Sequence, residues 1–166
     1  MQRISDRQLA VLARRVGRHL KSRLRVVSTA ESCTGGWVGK ALTDIDGSSE
    51  WFVEGFVTYG NAAKIDTLGV APSVLRQHGA VSEAAARGMA KGALRRAKAD
   101  VSVAVTGIAG PGGAVPGKPV GTVWFAWAIR HGRSARLTTR LEHFRGDREA
   151  VRRQAVRVAL RGLLEP

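Results

Sequence analysis

An apolar run that ends on a serine and breaks at once into two glycines, Thr29-Ala-Glu-Ser-Cys-Thr-Gly-Gly36, constrains the fold of this chain more than any other segment. It reads as a strand passing through a small-residue turn into a helix. Such a turn leaves main-chain N–H groups uncovered, and the helix that follows directs its partial positive charge at the same spot. The alternating Val101, Val103 and Val105 lead into a second exit of this kind, Thr106-Gly-Ile-Ala-Gly-Pro-Gly-Gly113. In open α/β sheets ligands bind beyond the carboxyl ends of the strands, so the two exits are expected to face one cleft.

The rest of the chain supports that architecture. Ser5 and Gln8 are spaced as a capping box, Ile4 and Leu9 as a hydrophobic staple, and Leu9, Leu12, Ala13, Val16 and Leu20 fall on one helical stripe. A strand is expected over Leu24 to Thr29, a helix from near Thr34 with Trp37, Val38, Ala41 and Leu42 inward, a turn at Gly47-Ser-Ser49 and a strand over Trp51 to Thr58. Ser82-Glu83 can start a helix whose Ala86, Met89, Ala90, Ala93, Leu94 and Ala97 recur at helical spacing. Val120 to Ile129 and Ser134 to Phe144, joined by His131-Gly-Arg133, read as a β-hairpin, and an amphipathic helix closes the chain from about Asp147 to Leu164. The expected fold class is α/β: a single domain over 1–166, with a mixed, mostly parallel sheet, helices on both faces and the hairpin as an antiparallel edge.

Composition narrows the function classes. The 166 residues can bury a real core. One cysteine, Cys33, excludes an internal disulfide, and with no apolar run long enough to span a membrane and no signal-peptide pattern the expectation is a cytoplasmic protein without membrane association. The formal net charge of +14 admits a nucleic-acid partner. Against it, the arginines are spread over helix faces (Arg7, Arg14, Arg15, Arg18; Arg148, Arg152, Arg153, Arg157, Arg161) with no interleaved aromatic platform, and solvated helix surface is favoured.

Ser32 is the candidate nucleophile, and something must take its proton. His19, His78, His131 and His143 fall in a helix, near a helix end, in the hairpin turn and on a strand, where structural roles are expected; they and the one cysteine show no metal-ligand spacing, so no metal is expected. Neither a dinucleotide fingerprint nor a Gly-Lys-Ser phosphate loop is present, which argues against NAD and nucleoside triphosphates as ligands of the glycine-rich turns, and no cofactor is expected. Lysine is the remaining common base for serine once burial lowers its pKa. Ser32 has a bland alternative as a helix cap, and Cys33 is a rival nucleophile that, as a strand neighbour, should point to the opposite side.

The segments Ala30-Glu-Ser-Cys-Thr-Gly-Gly36, Gly47-Ser-Ser49, Thr58-Tyr-Gly-Asn-Ala-Ala-Lys64, Gly79-Ala-Val-Ser82, Val105-Thr-Gly-Ile-Ala-Gly-Pro-Gly-Gly113, Lys118-Pro-Val-Gly-Thr122 and Gly146-Asp-Arg148 together resemble the CinA C-terminal domain family, including its stand-alone, PncC-type members, over nearly the whole chain. The additional N-terminal domain of the larger family members is not expected in this chain. The resemblance implies hydrolysis of the carboxamide of nicotinamide mononucleotide to nicotinate mononucleotide and ammonia. It implies Ser32 as nucleophile, Lys64 as its base and Tyr59 as a hydrogen-bonding partner that positions the pair, with the backbone of Thr34, Gly35 and Gly36 holding the oxyanion.

The phosphate of such a substrate needs a clamp. Arg145, ahead of the last helix, is the candidate, assisted by the loop of Thr106, Gly107, Gly110, Gly112 and Gly113. Gly60, Val115 and Gly117 depart from the family pattern, where serine, threonine and glutamate are common, and are expected to alter affinity or loop mobility while leaving the chemistry in place. A homo-oligomer is expected, with the hairpin edge as one possible interface. The alternatives are a basic nucleotide- or DNA-associated module without activity and an amidohydrolase acting on another small amide.

Overall fold

Residues 4–165 are described in the computed structural model. Helix α1 (Asp6–Ser22) starts on the expected capping box: Ser5 accepts from the Gln8 amide, and the Gln8 side chain accepts from the Ser5 amide. Strand β1 (Val27–Glu31), helix α2 (Trp37–Thr43), a 3-10 turn at Ser48–Glu50 and strand β2 (Phe52–Val57) follow. Two short helices, α3 (Asn61–Leu68) and α4 (Pro72–His78), lead to the longer α5 (Glu83–Arg96), capped by Ser82. Strands β3 (Val101–Gly107), β4 (Thr122–His131) and β5 (Ser134–His143) and helix α6 (Arg148–Gly162), capped by Asp147, complete the order.

The five strands form one sheet in the order β2-β1-β3-β4-β5. The β2-β1 and β1-β3 pairs are parallel, and β3-β4 and β4-β5 antiparallel, so four of the five strands point the same way and only β4 runs against them. This is the mixed sheet with a hairpin edge expected from the sequence.

Side-chain alternation divides the core into two layers of different character. On one face Val27, Val103, Val105, Val123, Phe125 and Trp127 pack under α1, α2 and α6. On the other, Ala30, Ala104, Ala126 and Ala128 form a flat floor under α5. Small side chains let that helix approach closely, and Ser102 on β3 donates directly to the Ala90 carbonyl at 2.7 Å. Gly92 makes the matching accommodation on the outer side, since any Cβ there would collide with the Leu68 carbonyl of α3. That packing fixes α3, and with it Lys64.

Two boundaries differ most from expectation. The strand predicted over Leu24 to Thr29 runs from Val27 to Glu31: Leu24 has φ 52° and is 93% exposed, because it belongs to the turn after α1. The helix expected from near Thr34 begins at Trp37, since Gly36 at its N-cap adopts φ 92°, a left-handed conformation that ends the turn and is open to glycine at little cost.

Candidate active site

Ser32 sits one residue beyond the end of interior strand β1, held by its amide to the Val105 carbonyl at 2.9 Å on neighbouring β3. Its buried hydroxyl does not cap α2. That task falls to the preceding residue, Glu31, whose carboxylate is 1% exposed. Glu31 Oε2 accepts from the amides of Gly36 (3.1 Å) and Val38 (3.0 Å), and Oε1 from Gly39 (2.8 Å). An acid here is stabilised by the positive end of the helix and by charge-assisted bonds. Glu31 therefore ties the serine turn to α2, a role the sequence reading missed because five or more residues separate it from the amides it caps.

The Ser32 hydroxyl meets Lys64, which α3 carries into the interior with no exposed surface. Lys64 Nζ lies 2.8 Å from the Thr58 carbonyl oxygen, 2.9 Å from that of Tyr59 and 3.2 Å from Ser32 Oγ. A neutral amine has two hydrogens and one lone pair. As an ammonium Lys64 donates to all three oxygens; once neutral, with its two hydrogens kept on the carbonyls, its lone pair would face the serine hydroxyl. Burial lowers the Lys64 pKa, outweighing a small opposing effect of Cys33, and among the described residues no carboxylate pairs with Lys64 to hold its proton.

Tyr59 positions the lysine through its main chain, while its phenol, on a largely exposed side chain, receives a hydrogen bond from Arg148 Nη2 at 2.9 Å. Arg148 Nη1 donates to the Gly110 carbonyl at 2.7 Å. This arginine, placed by the sequence reading on a solvated helix face, thus bridges Tyr59 and the second glycine loop. Arg145, the expected phosphate clamp, is exposed and does not line the Ser32 cavity; its carbonyl accepts from Gln154 of α6. The cause is the helix start, which falls at Arg148 and turns that side chain toward the cleft.

Ser32, Cys33, Tyr59, Lys64, Thr106, Gly107, Gly110, Gly112, Gly113 and Arg148 line one cavity of about 260 Å³. It lies beyond the carboxyl ends of β1 and β3 and is just below the ~300–1,000 Å³ typical of small-ligand sites. Thr106 contributes wall more than chemistry, because its hydroxyl donates to the Ala80 carbonyl at 2.8 Å.

Thr34, Gly35 and Gly36 do not join this lining. The Gly35 amide donates to the Ser32 carbonyl (3.0 Å) and the Gly36 amide to Glu31, so the two amides expected to hold an oxyanion are spent within the turn. Gly35 and Gly36 open instead onto a separate depression with Trp37 and Arg152. Arg152 braces the turn from outside, donating to the carbonyls of Cys33 (3.1 Å) and Thr34 (2.9 Å). Cys33 packs into the core and its thiol pKa is pushed up to about 12 by burial, which makes it a poor nucleophile. None of the four histidines lines the Ser32 cavity.

Residues 9–166 match the CinA C-terminal domain. The chain is 55% identical over 160 residues to the nicotinamide-nucleotide amidohydrolase PncC of Escherichia coli (strain K12), covering 96% of this chain and 95% of that protein. It is 49% identical over 156 residues to a CinA-like protein of Akkermansia muciniphila, covering 94% of this chain and 37% of that longer protein. The crystal structure of the competence/damage inducible protein CihA from Agrobacterium tumefaciens superposes with a TM-score of 0.90 at 44% identity, covering 99% of this chain and 97% of that one.

Proposed function

Because the chain belongs to the CinA C-terminal domain family and is an amidohydrolase, we propose that it hydrolyses the carboxamide of nicotinamide mononucleotide through a serine acyl-enzyme with lysine as the base. The observation that carries the mechanism is the threefold environment of Lys64 Nζ: two main-chain carbonyls and one serine hydroxyl.

Neutral Lys64 takes the Ser32 proton as Oγ bonds to the carboxamide carbon, giving a tetrahedral oxyanion and a lysine ammonium. The ammonium returns its proton to the departing nitrogen, the C–N bond breaks and ammonia leaves. Water then attacks the ester, its proton passes to Lys64, and Lys64 reprotonates Ser32 Oγ as the C–O bond to serine breaks and nicotinate mononucleotide is freed. With Gly35 and Gly36 engaged, the amide of Cys33, next to the nucleophile, takes their place as oxyanion donor.

Arg148 holds the 5′-phosphate in this reading, with the amides of Gly112 and Gly113 beside it and the N-terminus of α6 behind it. Tyr59, exposed at the mouth, offers a ring face to the pyridinium cation. The direct test is mass spectrometry of enzyme quenched during turnover. The reading expects a Ser32 peptide heavier by nicotinamide mononucleotide less ammonia; turnover without that adduct, even when hydrolysis is slowed, would favour direct attack by water.

A further inference from the structure

At the other end of the sheet lies a second cavity, of about 360 Å³, that the proposed reaction does not use. It is built where β4 ends, β3 begins and α1 turns toward β1, a strand's length of roughly 20 Å from Ser32. Val101, Trp127 and Ile129 give it an apolar floor, and Arg23, Arg25 and Arg136 stand around it. Arg136 pairs with Ile129 across the hairpin, so both side chains emerge on the same face of the sheet.

Arg130, in step with Ala126 and Ala128, is turned to the opposite face, where it donates through Nε to the Ala99 carbonyl and through Nη2 to that of Leu94, each at 3.0 Å. Of the three that remain, one is held in place. Arg23 Nη1 lies 3.1 Å from His19 Nδ1, an arrangement that needs an unprotonated imidazole, and burial followed by the charges of Arg23 and Arg25 lowers the His19 pKa. His131 also faces the cavity, and Glu165 is the one carboxylate in its lining. Among the described residues no ion pair joins any of the three guanidiniums to a carboxylate. Like charges crowded over an apolar floor cost the fold stability, and a polyanion with an apolar body relieves that cost.

We propose that this cavity binds a nucleoside di- or triphosphate, with the base against the apolar floor and the phosphates among Arg23, Arg25 and Arg136. Three guanidiniums carry more charge than one phosphate can neutralise, which favours two or more linked phosphates. The site is a bounded pocket, and its tryptophan is 6% exposed, so there is no stacking platform for a polynucleotide. Part of the +14 charge thereby acquires a role that solvated helix faces do not supply.

The test is isothermal titration calorimetry of the whole protein with ADP, ATP and inorganic pyrophosphate at about 0.15 M salt. ADP and ATP should bind once per chain and pyrophosphate more weakly. The double variant R25S/R136S should lower ADP affinity about tenfold or more, whereas R148S, which alters the Ser32 cleft, should leave it unchanged. Thermal melting establishes that each variant is folded, and R136S alone, on the edge strand, serves if the double variant is not. No binding of any probe would overturn the proposal. So would binding lost in R148S and retained in R25S/R136S, which places the nucleotide in the cleft, or displacement of ADP by a short RNA in a length-dependent manner, which assigns the surface to a polynucleotide.

Discussion

Lys64 reaches Ser32 from a neighbouring helix, its Nζ 3.2 Å from the serine Oγ and its remaining bonds directed at the carbonyls of Thr58 and Tyr59. Catalysis requires the amine unprotonated, and burial places its pKa below the ordinary lysine value of about 10.4. Activity should therefore be lost as pH falls through that lowered pKa, with kcat/KM reaching its plateau before the ordinary lysine range. The same shift acts on stability with a definite sign. Between the folded and unfolded pKa values the unfolded chain binds more protons, so the Lys64 contribution to stability rises with pH across that window. Lys64→Met should abolish turnover and flatten that slope in pH-dependent melting; a rate profile controlled only at or above the ordinary lysine pKa would place the proton transfer elsewhere.

Arg148 and Tyr59 make a separable pair. Arg148→Ser should raise KM for nicotinamide mononucleotide about tenfold or more, the worth of one charge-assisted contact, with a smaller change in kcat. Tyr59→Phe keeps the carbonyl that holds Lys64 and loses only the phenol bond to Arg148, so its kcat should stay close to that of the parent while KM rises. Steady-state kinetics decide; a collapse of kcat in Tyr59→Phe would mean the phenol takes part in chemistry.

Glu31→Gln tests the brace behind the nucleophile. The carboxylate accepts three amide bonds, and an amide side chain can accept at only one of its two termini while turning a donor toward a donor. The expected cost is about 2–4 kcal/mol of stability, read by denaturant unfolding, with a lowered kcat from a displaced Ser32 turn. Unchanged stability would show that the turn holds its shape without Glu31.

Cys33→Ala should retain turnover of the same order, because the thiol is packed in the core and its pKa is pushed up to about 12. In the native protein the thiol should resist iodoacetamide at neutral pH and react promptly once unfolded. Rapid native alkylation accompanied by loss of activity would return Cys33 to consideration as the nucleophile.

The fold was legible where local rules act. Capping at Ser5 and Ser82, the alternation of Val101, Val103 and Val105, and the hairpin about His131-Gly-Arg133 are short-range signals that tertiary packing had no reason to override. The site was legible only as a set of residue types. That Ser32 and Lys64 meet depends on α3 docking through Leu68 against Gly92 of α5, a contact with no local signature. Arg145 and Arg148 show the same limit: three residues apart at a helix start, they point in different directions, and only the exact start at Arg148 selects which one faces the cleft. The engagement of the turn amides was not legible because the acceptors, the Ser32 carbonyl for Gly35 and the Glu31 carboxylate for Gly36, are set by the folded turn and not by residue type.

The most direct measurement is ammonia release from nicotinamide mononucleotide by the purified protein, beside Ser32→Ala and Lys64→Ala that melt as folded proteins. The account predicts turnover by the parent and a fall of about 10³-fold or more in each variant. Turnover that survives either substitution would contradict the serine-lysine pair, and none by the folded parent would contradict the substrate.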